Sequence, residues 1–407
     1  ALGNGALEAN TTGNYNVALG SQALEKNTTG AENTAIGLQA LEENTTANNN
    51  TALGSQALTE NTTGTNNTAL GKGAGQTQTT LHGCTWVGTD AGRVNIASNN
   101  TGVGAGALYA NTTGTQNTAV GTGVYGSTQG ALGANTTGDH NTAVGSRSLL
   151  VNTTGDQNTA VGDRALQSNT TANNNTAFGY KALESNTTGT PNTAIGTNAL
   201  QANTTGEHNV AIGYVAGQQI TTGQKNTALG THSLDVCTTG SFNTAIGQDA
   251  LGANTTASQN TAVGQNSLQA NTTGANNAAL GYRSLYGNTT ADQNTALGAD
   301  SMFTNTTGEY NVAAGFMALY NSNANNNVAI GYQALLANTT AVDNTAVGMQ
   351  ALTTVTTGSY NTAIGARALL KNVGSGNCAV GEDALMTATT GTQNTAMGQS
   401  AMRLGTT

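Results

Sequence analysis

Hydrophobic and polar positions recur along the whole chain with a period of 17 residues. The repeated unit reads N-T-A-φ-G-x-x-A-L-x-x-N-T-T-G-x-x, where φ is usually Val, Ile or Leu. Twenty-three such units begin between Asn16 and Asn394, and each closes its first pentapeptide with glycine. A short period sustained over so many units is typical of a solenoid, in which each coil buries its apolar side chains against its neighbours.

The pentapeptide N-T-A-φ-G predicts a β-strand. Along an extended chain, Thr and φ point to one face, whereas Asn, Ala and Gly point to the other. We therefore expect one row of large apolar side chains and one row of small ones, of which one fills the coil while the other meets a partner. The closing glycines, such as Gly20, Gly37 and Gly54, are interpreted as structural positions of the repeat.

The rest of the repeated unit predicts secondary structure less clearly. The segment N-T-T-G-x-x predicts a corner, with Gly supplying a positive φ and with Asn and Thr bonding to the backbone. The segment x-x-A-L-x-x fits either one helical turn or a second strand, and we expect the strand. At about 3.3 Å per residue, the coil perimeter of about 56 Å accommodates two strands and two corners. The predicted fold is an all-β repetitive β-solenoid, or β-roll, of 17-residue coils with about 23 rungs.

The repeat predicts a single repetitive segment over residues 1–407, without a separate globular domain. A 7-residue insertion near residues 123–132 should bulge from the coils and is a candidate contact region. The first residues are already in phase with the repeat, so we expect the chain to be a segment of a longer protein. Two large apolar side chains per coil offset only a small part of the entropy lost by ordering it. Backbone ladders, stacked Asn and Thr rows and self-association should therefore contribute.

Composition and charge narrow the function classes. The chain has 55 Gly, 1 Pro, 4% aromatic and 8% charged residues, which argues against a conventional globular core. Its net charge of -9 is spread without a basic cluster, so we expect neither nucleic acid nor an anionic membrane as partner. No apolar run approaches the roughly 18 residues of a membrane span.

No pattern of reactive residues predicts catalysis, a metal or a cofactor. Cys84, Cys237 and Cys378 lack the spacing of a zinc site or disulfide framework, so we interpret them as small buried or half-buried side chains, with an intermolecular bridge as the alternative. His140 and His208 share a register position but lie four rungs apart, about 19 Å, too far to share a metal. We therefore expect a protein that is not an enzyme.

The corner segment also contains N-x-[ST] glycosylation motifs. Repetition explains these motifs without any glycan, and a glycan-coated extracellular fibril is the alternative. The candidate glycosylation sites are Asn10, Asn27, Asn44, Asn61, Asn111, Asn135, Asn152, Asn169, Asn186, Asn203, Asn254, Asn271, Asn288, Asn305 and Asn338.

One coil, G-C-T-W-V-G, carries the only tryptophan. Trp86 replaces the small Ala of the strand, while the neighbouring Leu positions are Gly75 and Gly92 and the next Ala position is Gly102. We interpret Trp86 as filling the volume that these glycines vacate. The alternative is an exposed contact patch.

The pentapeptides at Asn33–Gly37 and Asn117–Gly121 resemble the head repeats of trimeric autotransporter adhesins, with a longer period. Nearly the whole chain resembles the N-T-A-x-G-x-x-A-L-x-x-N-T-T-G arrays of tail-fibre-like proteins. The resemblance implies a parallel β-roll, a homotrimer and an extracellular position on a virion or a cell surface. It also implies that such arrays often precede a chaperone domain that trimerises the fibre and cleaves itself off.

Taken together, the sequence predicts a structural fibre segment, the shaft or head of a phage tail fibre or bacterial adhesin. Its expected partners are further copies of itself, with a trimer favoured, and a cell-surface receptor or glycan. The rival function is ice binding, because stacked Thr on a flat solenoid face can order water.

Overall fold

The computed structural model describes residues 1–123 and 130–404. The predicted bulge falls largely on residues 124–129 and so lies outside the described residues. The chain divides into two compact units, Ala1–His208 and Asn209–Thr407. Both are built from the same coil, a parallel β-solenoid as the repeat predicts. No helix long and apolar enough to cross a membrane occurs in the described ranges.

Each coil of the first unit contributes one three-residue strand, formed by T-A-φ or its equivalent. Successive strands pair in parallel, so that Thr34 lies opposite Thr51 and Ala35 opposite Ala52. The strands are β1 (Val17–Leu19), β2 (Thr34–Ile36), β3 (Thr51–Leu53), β4 (Thr68–Leu70), β5 (Thr85–Val87), β6 (Thr101–Val103), β7 (Thr118–Val120), β8 (Thr142–Val144), β9 (Thr159–Val161), β10 (Thr176–Phe178) and β11 (Thr193–Ile195).

The second unit continues the pattern with the same parallel register, as between Thr244 and Thr261. Its strands are β12 (Val210–Ile212), β13 (Thr227–Leu229), β14 (Thr244–Ile246), β15 (Thr261–Val263), β16 (Ala278–Leu280), β17 (Thr295–Leu297), β18 (Val312–Ala314), β19 (Val328–Ile330), β20 (Thr345–Val347), β21 (Thr362–Ile364), β22 (Cys378–Val380) and β23 (Thr395–Met397). The prediction of a strand at T-A-φ is therefore confirmed in both units.

The second strand expected at x-x-A-L-x-x is wrong. This segment forms two consecutive turns, closed by the Ala23 N–H to Gly20 carbonyl bond at 3.3 Å and the Asn27 N–H to Leu24 carbonyl bond at 3.2 Å. Leu24 adopts φ of 53°, in the left-handed region that side chains usually avoid. The same conformation recurs at Leu41 and Leu58. Full burial of each Leu, worth about 1.5–3 kcal/mol, offsets the backbone cost of about 1–2 kcal/mol.

The glycine requirement also differs from the expectation. Of the two glycines in the consensus unit, the one that ends the strand has the positive φ: Gly37 has φ of 136°, and an added Cβ would lie 2.5 Å from the Gly54 carbonyl oxygen. The corner glycine, such as Gly30, is not among the residues with positive φ. Alanine occupies the equivalent corner position at Ala47. The corner is therefore held by side-chain hydrogen bonds more than by glycine.

Side chains alternate along the strand as predicted, and the row of small Ala side chains faces inward. Ala35 and Ala52 are fully buried, whereas the Thr and φ residues beside them are half-buried or exposed. The interior also receives Ala and Leu from the turns, such as Ala40 and Leu41. With this volume filled, the row of large φ side chains lies on the outer surface.

Candidate functional site

Two rows of buried asparagine side chains run through the coils of each unit. In the corner row, the Asn44 side-chain amide donates to Oδ1 of Asn27 at 2.8 Å and to the Ala47 carbonyl at 3.2 Å. In the row that precedes the strand, the Asn50 amide donates to the Gly64 carbonyl at 2.8 Å, and the Asn50 N–H donates to Asn33 Oδ1 at 3.0 Å. Buried polar groups are thus paired from coil to coil, which stabilises the stack.

The candidate glycosylation sites are the members of the corner row. Asn10 is half-buried, and the other fourteen are buried at 1% exposure or less. Where a glycan would join, Nδ2 of Asn27 donates to Asn10 Oδ1 at 2.8 Å and to the Gly30 carbonyl at 3.0 Å. The second threonine of the corner, such as Thr29, is exposed. This geometry favours the structural interpretation of the asparagines, and their modification stays a prediction.

The coil of Trp86 is repacked as the sequence predicts. Trp86 is fully buried, and a Cβ added at Gly75, Gly92 or Gly102 would lie within 2.4–2.8 Å of its ring. Its indole Nε1 donates to Gln78 Oε1 at 3.2 Å. Gln78 replaces a corner asparagine, so the ladder is interrupted here and Asn61 Oδ1 has no partner among the described residues. Trp86 is therefore a packing residue of the interior, not a contact patch.

The outward face of the strands carries the row of large apolar side chains that the sequence predicts. Leu53 and Leu70 of adjacent coils are 41% and 42% exposed, and Phe178 reaches 54%. In the second unit a groove of about 230 Å³ crosses this face beside Leu280 and Leu297, where Ala278 replaces the usual Thr. We call this row of Thr and φ side chains the outward strand face. A continuous apolar row of this kind is typical of an interaction surface.

A second apolar column, which the sequence analysis missed, borders the outward strand face. It consists of the residue that follows each strand-ending glycine, and several are exposed aromatics: Tyr180, Tyr214, Tyr282, Phe316 and Tyr332. Phe316 and Tyr332 stack with ring centroids 5.8 Å apart. The recurrence of aromatic residues at this one register position could have revealed this column in the sequence.

The cysteines and histidines do not form a reactive cluster. Cys84 and Cys237 are buried and Cys378 is half-buried, and all three are free thiols. Burial raises the pKa of the Cys237 thiol to about 11 and also raises the pKa of Cys84. His140 and His208 make no group with other potential ligands, and the described residues contain no cluster of three or more His, Cys, Asp or Glu suited to a metal.

Ion pairs link neighbouring coils on the surface. Arg283 holds Asp300 through two bonds of 2.8 and 3.0 Å, and Arg367 donates to Asp383 at 2.6 Å. The hydrogen bond from Arg367 holds the pKa of the Asp383 carboxyl below its usual value. These ion pairs join adjacent coils. Each contributes little to the free energy of folding, because it lies at the surface.

A comparison of the sequence with known protein families and with characterised proteins found no match.

Proposed function

We propose that the chain is a non-enzymatic structural fibre segment that acts by spacing and display and that associates with copies of itself. The observation that carries the proposal is the outward strand face. It places large apolar side chains such as Leu53 and Leu70 in a row from coil to coil, with Ala314 as an exception, on a surface that the monomer leaves open. Burying such a row against another chain stabilises the assembly by about 25 cal/mol per Å².

The coil itself supports a mechanical role. Successive strands pair in one register throughout each unit, and the buried asparagines add side-chain bonds between the same coils. Such stacking makes stability approximately a sum of coil and neighbour terms, so length can be extended without a new core. Sequence resemblance to tail-fibre and adhesin arrays favours an extracellular position and a homotrimer.

Self-association can be tested by sedimentation of the purified chain. The variant Leu280→Lys with Leu297→Lys places two charges on the outward strand face, in adjacent coils of the second unit. We expect the wild type to sediment as an oligomer, with a trimer favoured, and the variant to shift toward the monomer. A monomeric wild type at all concentrations would contradict the proposal.

A matched control carries the same two charges elsewhere on the same coils. Thr290→Lys with Thr307→Lys alters exposed corner threonines, away from the strands. This control should fold and assemble like the wild type. Equal dissociation in both variants would mean that added charge, not the outward strand face, controls assembly.

Ice binding is the second candidate. The strand threonines, such as Thr51 and Thr68, form an outward column on a parallel sheet, in addition to the corner threonines. Their spacing of about 4.8 Å per coil is regular. The bulky φ residues beside them make the surface uneven, so we favour the fibre. Freezing-point depression beyond the colligative value, measured on purified protein, would favour ice binding, and its absence would remove this candidate.

A further inference from the structure

A surface cavity in the second unit lies where one side chain is missing from a column. The column is formed by the residue after each consensus Leu, and Tyr286, Phe303 and Tyr320 stack along it with centroids 5.0 and 5.1 Å apart. At Gly252 the column has no side chain. The resulting cavity of about 550 Å³ is lined by Asp235, Asp249, Gly252, Ala253, Gln269 and Tyr286, among others. We call it the Gly252 notch.

The backbone does not require glycine at this position. Gly252 has no positive φ, and the nearest atom to an added Cβ is the Asp249 carbonyl oxygen at 3.2 Å. Equivalent positions in other coils carry long side chains such as Glu25 and Gln167. The notch therefore exists because the sequence has glycine here, since a larger side chain fits the same backbone and would fill it.

The charges around the notch are unbalanced. Asp300 and Asp383 occupy the same register as Asp249, and each is paired with an arginine one coil earlier. The residue one coil before Asp249 is His232, whose Nδ1 lies 3.2 Å from the other carboxylate, Asp235. Within the described residues no ion pair neutralises Asp249, and only Gln248 donates to its carboxylate, at 3.1 Å. The notch thus presents a carboxylate without a cation.

An aromatic ring completes the lining. Phe303 covers one face of Tyr286, with the two rings nearly parallel at 13°, while Tyr286 also borders the notch. The faces of aromatic rings attract cations, and a carboxylate within the same cavity adds charge-assisted hydrogen bonds to an ammonium group. The notch lining contains no Lys or Arg that would compete for these groups.

We propose that the Gly252 notch binds a small organic cation, a primary amine or diamine. One ammonium group bonds to Asp249, the alkyl chain follows the floor formed by Gly252 and Ala253, and the far end of the ligand lies against Tyr286. This site is independent of the outward strand face and does not rest on the proposed fibre function. Association between chains and amine binding can therefore fail separately.

Calorimetric titration of the full chain with 1,5-diaminopentane tests the proposal, with 1,5-pentanediol as the uncharged probe of equal length. We expect binding of the diamine, weakened as NaCl rises because salt screens the charges, and no binding of the diol. Absence of diamine binding at low salt would overturn the proposal. So would equal binding of the diol.

Three variants locate the site. Asp249→Asn should weaken binding about five- to tenfold, Tyr286→Leu about two- to fivefold, and Gly252→Gln should abolish it by filling the notch. Glu309→Gln removes the same charge in the same unit outside the notch and should bind like the wild type. Unchanged binding by Asp249→Asn, or equal weakening by Glu309→Gln, would overturn the assignment. A lower melting temperature of Gly252→Gln would mean that this variant loses binding through instability. In that case the difference in diamine affinity between Asp249→Asn and Glu309→Gln decides whether the notch is the site.

Discussion

The side-chain amide of Asn152 donates to Oδ1 of Asn135 at 2.9 Å, and Asn152 Oδ1 in turn accepts from Asn169 at 2.9 Å. One amide side chain thus bonds to groups on both neighbouring coils within the buried interior. The coils are held together by this polar row as well as by apolar contact. Removing Asn152 leaves Asn135 Oδ1 without its donor and leaves the Asn169 amide with only the Ala172 carbonyl, at 3.0 Å, as acceptor.

Asn152→Ala should therefore destabilise the protein strongly. We expect a loss of about 1–3 kcal/mol in the free energy of unfolding, because buried polar groups on adjacent coils lose their partners. Chemical denaturation followed by circular dichroism measures it. Thr154→Ala, at the exposed second threonine of the same corner, is the control and should change stability by less than about 0.5 kcal/mol. Similar losses in both variants would refute the role of the row.

The row can also be repaired. Both side-chain polar atoms of the buried Asn372 have no partner among the described residues, because Val355 and Ala388 occupy the corner positions of the adjacent coils. Ala388→Asn should supply a donor to Asn372 Oδ1 and raise stability by about 1 kcal/mol. Ala388→Val fills similar space without a donor and should not. The expectation fails if the two variants have equal melting temperatures.

Trp86 and its surrounding glycines should behave as a coupled set. Trp86→Ala alone should cost about 3–5 kcal/mol, since it leaves a cavity lined by glycine. Adding Gly75→Leu and Gly92→Leu restores the consensus interior, and the left-handed φ of 60° and 58° at these sites matches that of the repeated Leu. We expect the triple variant to recover most of the loss. Denaturation of the four combinations gives the coupling energy, and additive effects would exclude a shared volume.

The two kinds of glycine should respond differently to alanine. Gly37→Ala forces a Cβ to within 2.5 Å of the Gly54 carbonyl oxygen at a left-handed φ, and nothing but backbone can move away. We expect a cost above about 2 kcal/mol. Gly30→Ala also brings a Cβ to within 2.4–2.5 Å of Asn27 Oδ1 and the Ala47 carbonyl oxygen, but Gly30 has no positive φ and the chain already accommodates alanine at the equivalent Ala47, so the cost should be lower. Thermal unfolding of the pair decides, and equal costs would contradict the distinction.

The buried thiols should be inert in the folded protein. Because burial raises the pKa of Cys237 to about 11, above the value of about 8.5 for a free thiol, folding favours its protonated form. That contribution to stability is present below about pH 8.5 and is lost as the pH rises toward about 11. In Cys237→Asn, the stability between these pH values should fall less steeply.

Mass spectrometry after iodoacetamide treatment at pH 8 measures the reactivity of the three thiols directly. Cys378 should be labelled first, and Cys84 and Cys237 only after denaturation, because they are buried. Rapid labelling of Cys237 in the native protein would contradict the packing.

The repeat alone determined much of this protein. The fixed period and the alternation within T-A-φ predicted the parallel solenoid, its strands and the opposite directions of Ala35 and Ile36. The register of the repeat also placed Trp86 against Gly75 and Gly92, because the sequence shows small residues at the large positions around one large residue. The sequence did not predict the Gly252 notch, since it depends on which register positions form one surface column.

Tertiary structure decided which face is the interior. Alternation separates Ala35 from Ile36 but cannot tell which of them is enclosed, because that depends on the volume supplied by the rest of the coil. The turns deliver Leu41 in a left-handed conformation, and the corners deliver buried Asn44, leaving space only for the small strand residue. The strand expected at x-x-A-L-x-x by analogy with β-rolls failed for the same reason: the gain from burying Leu41 and pairing its N–H with the Ala57 carbonyl outweighs the local preference against positive φ.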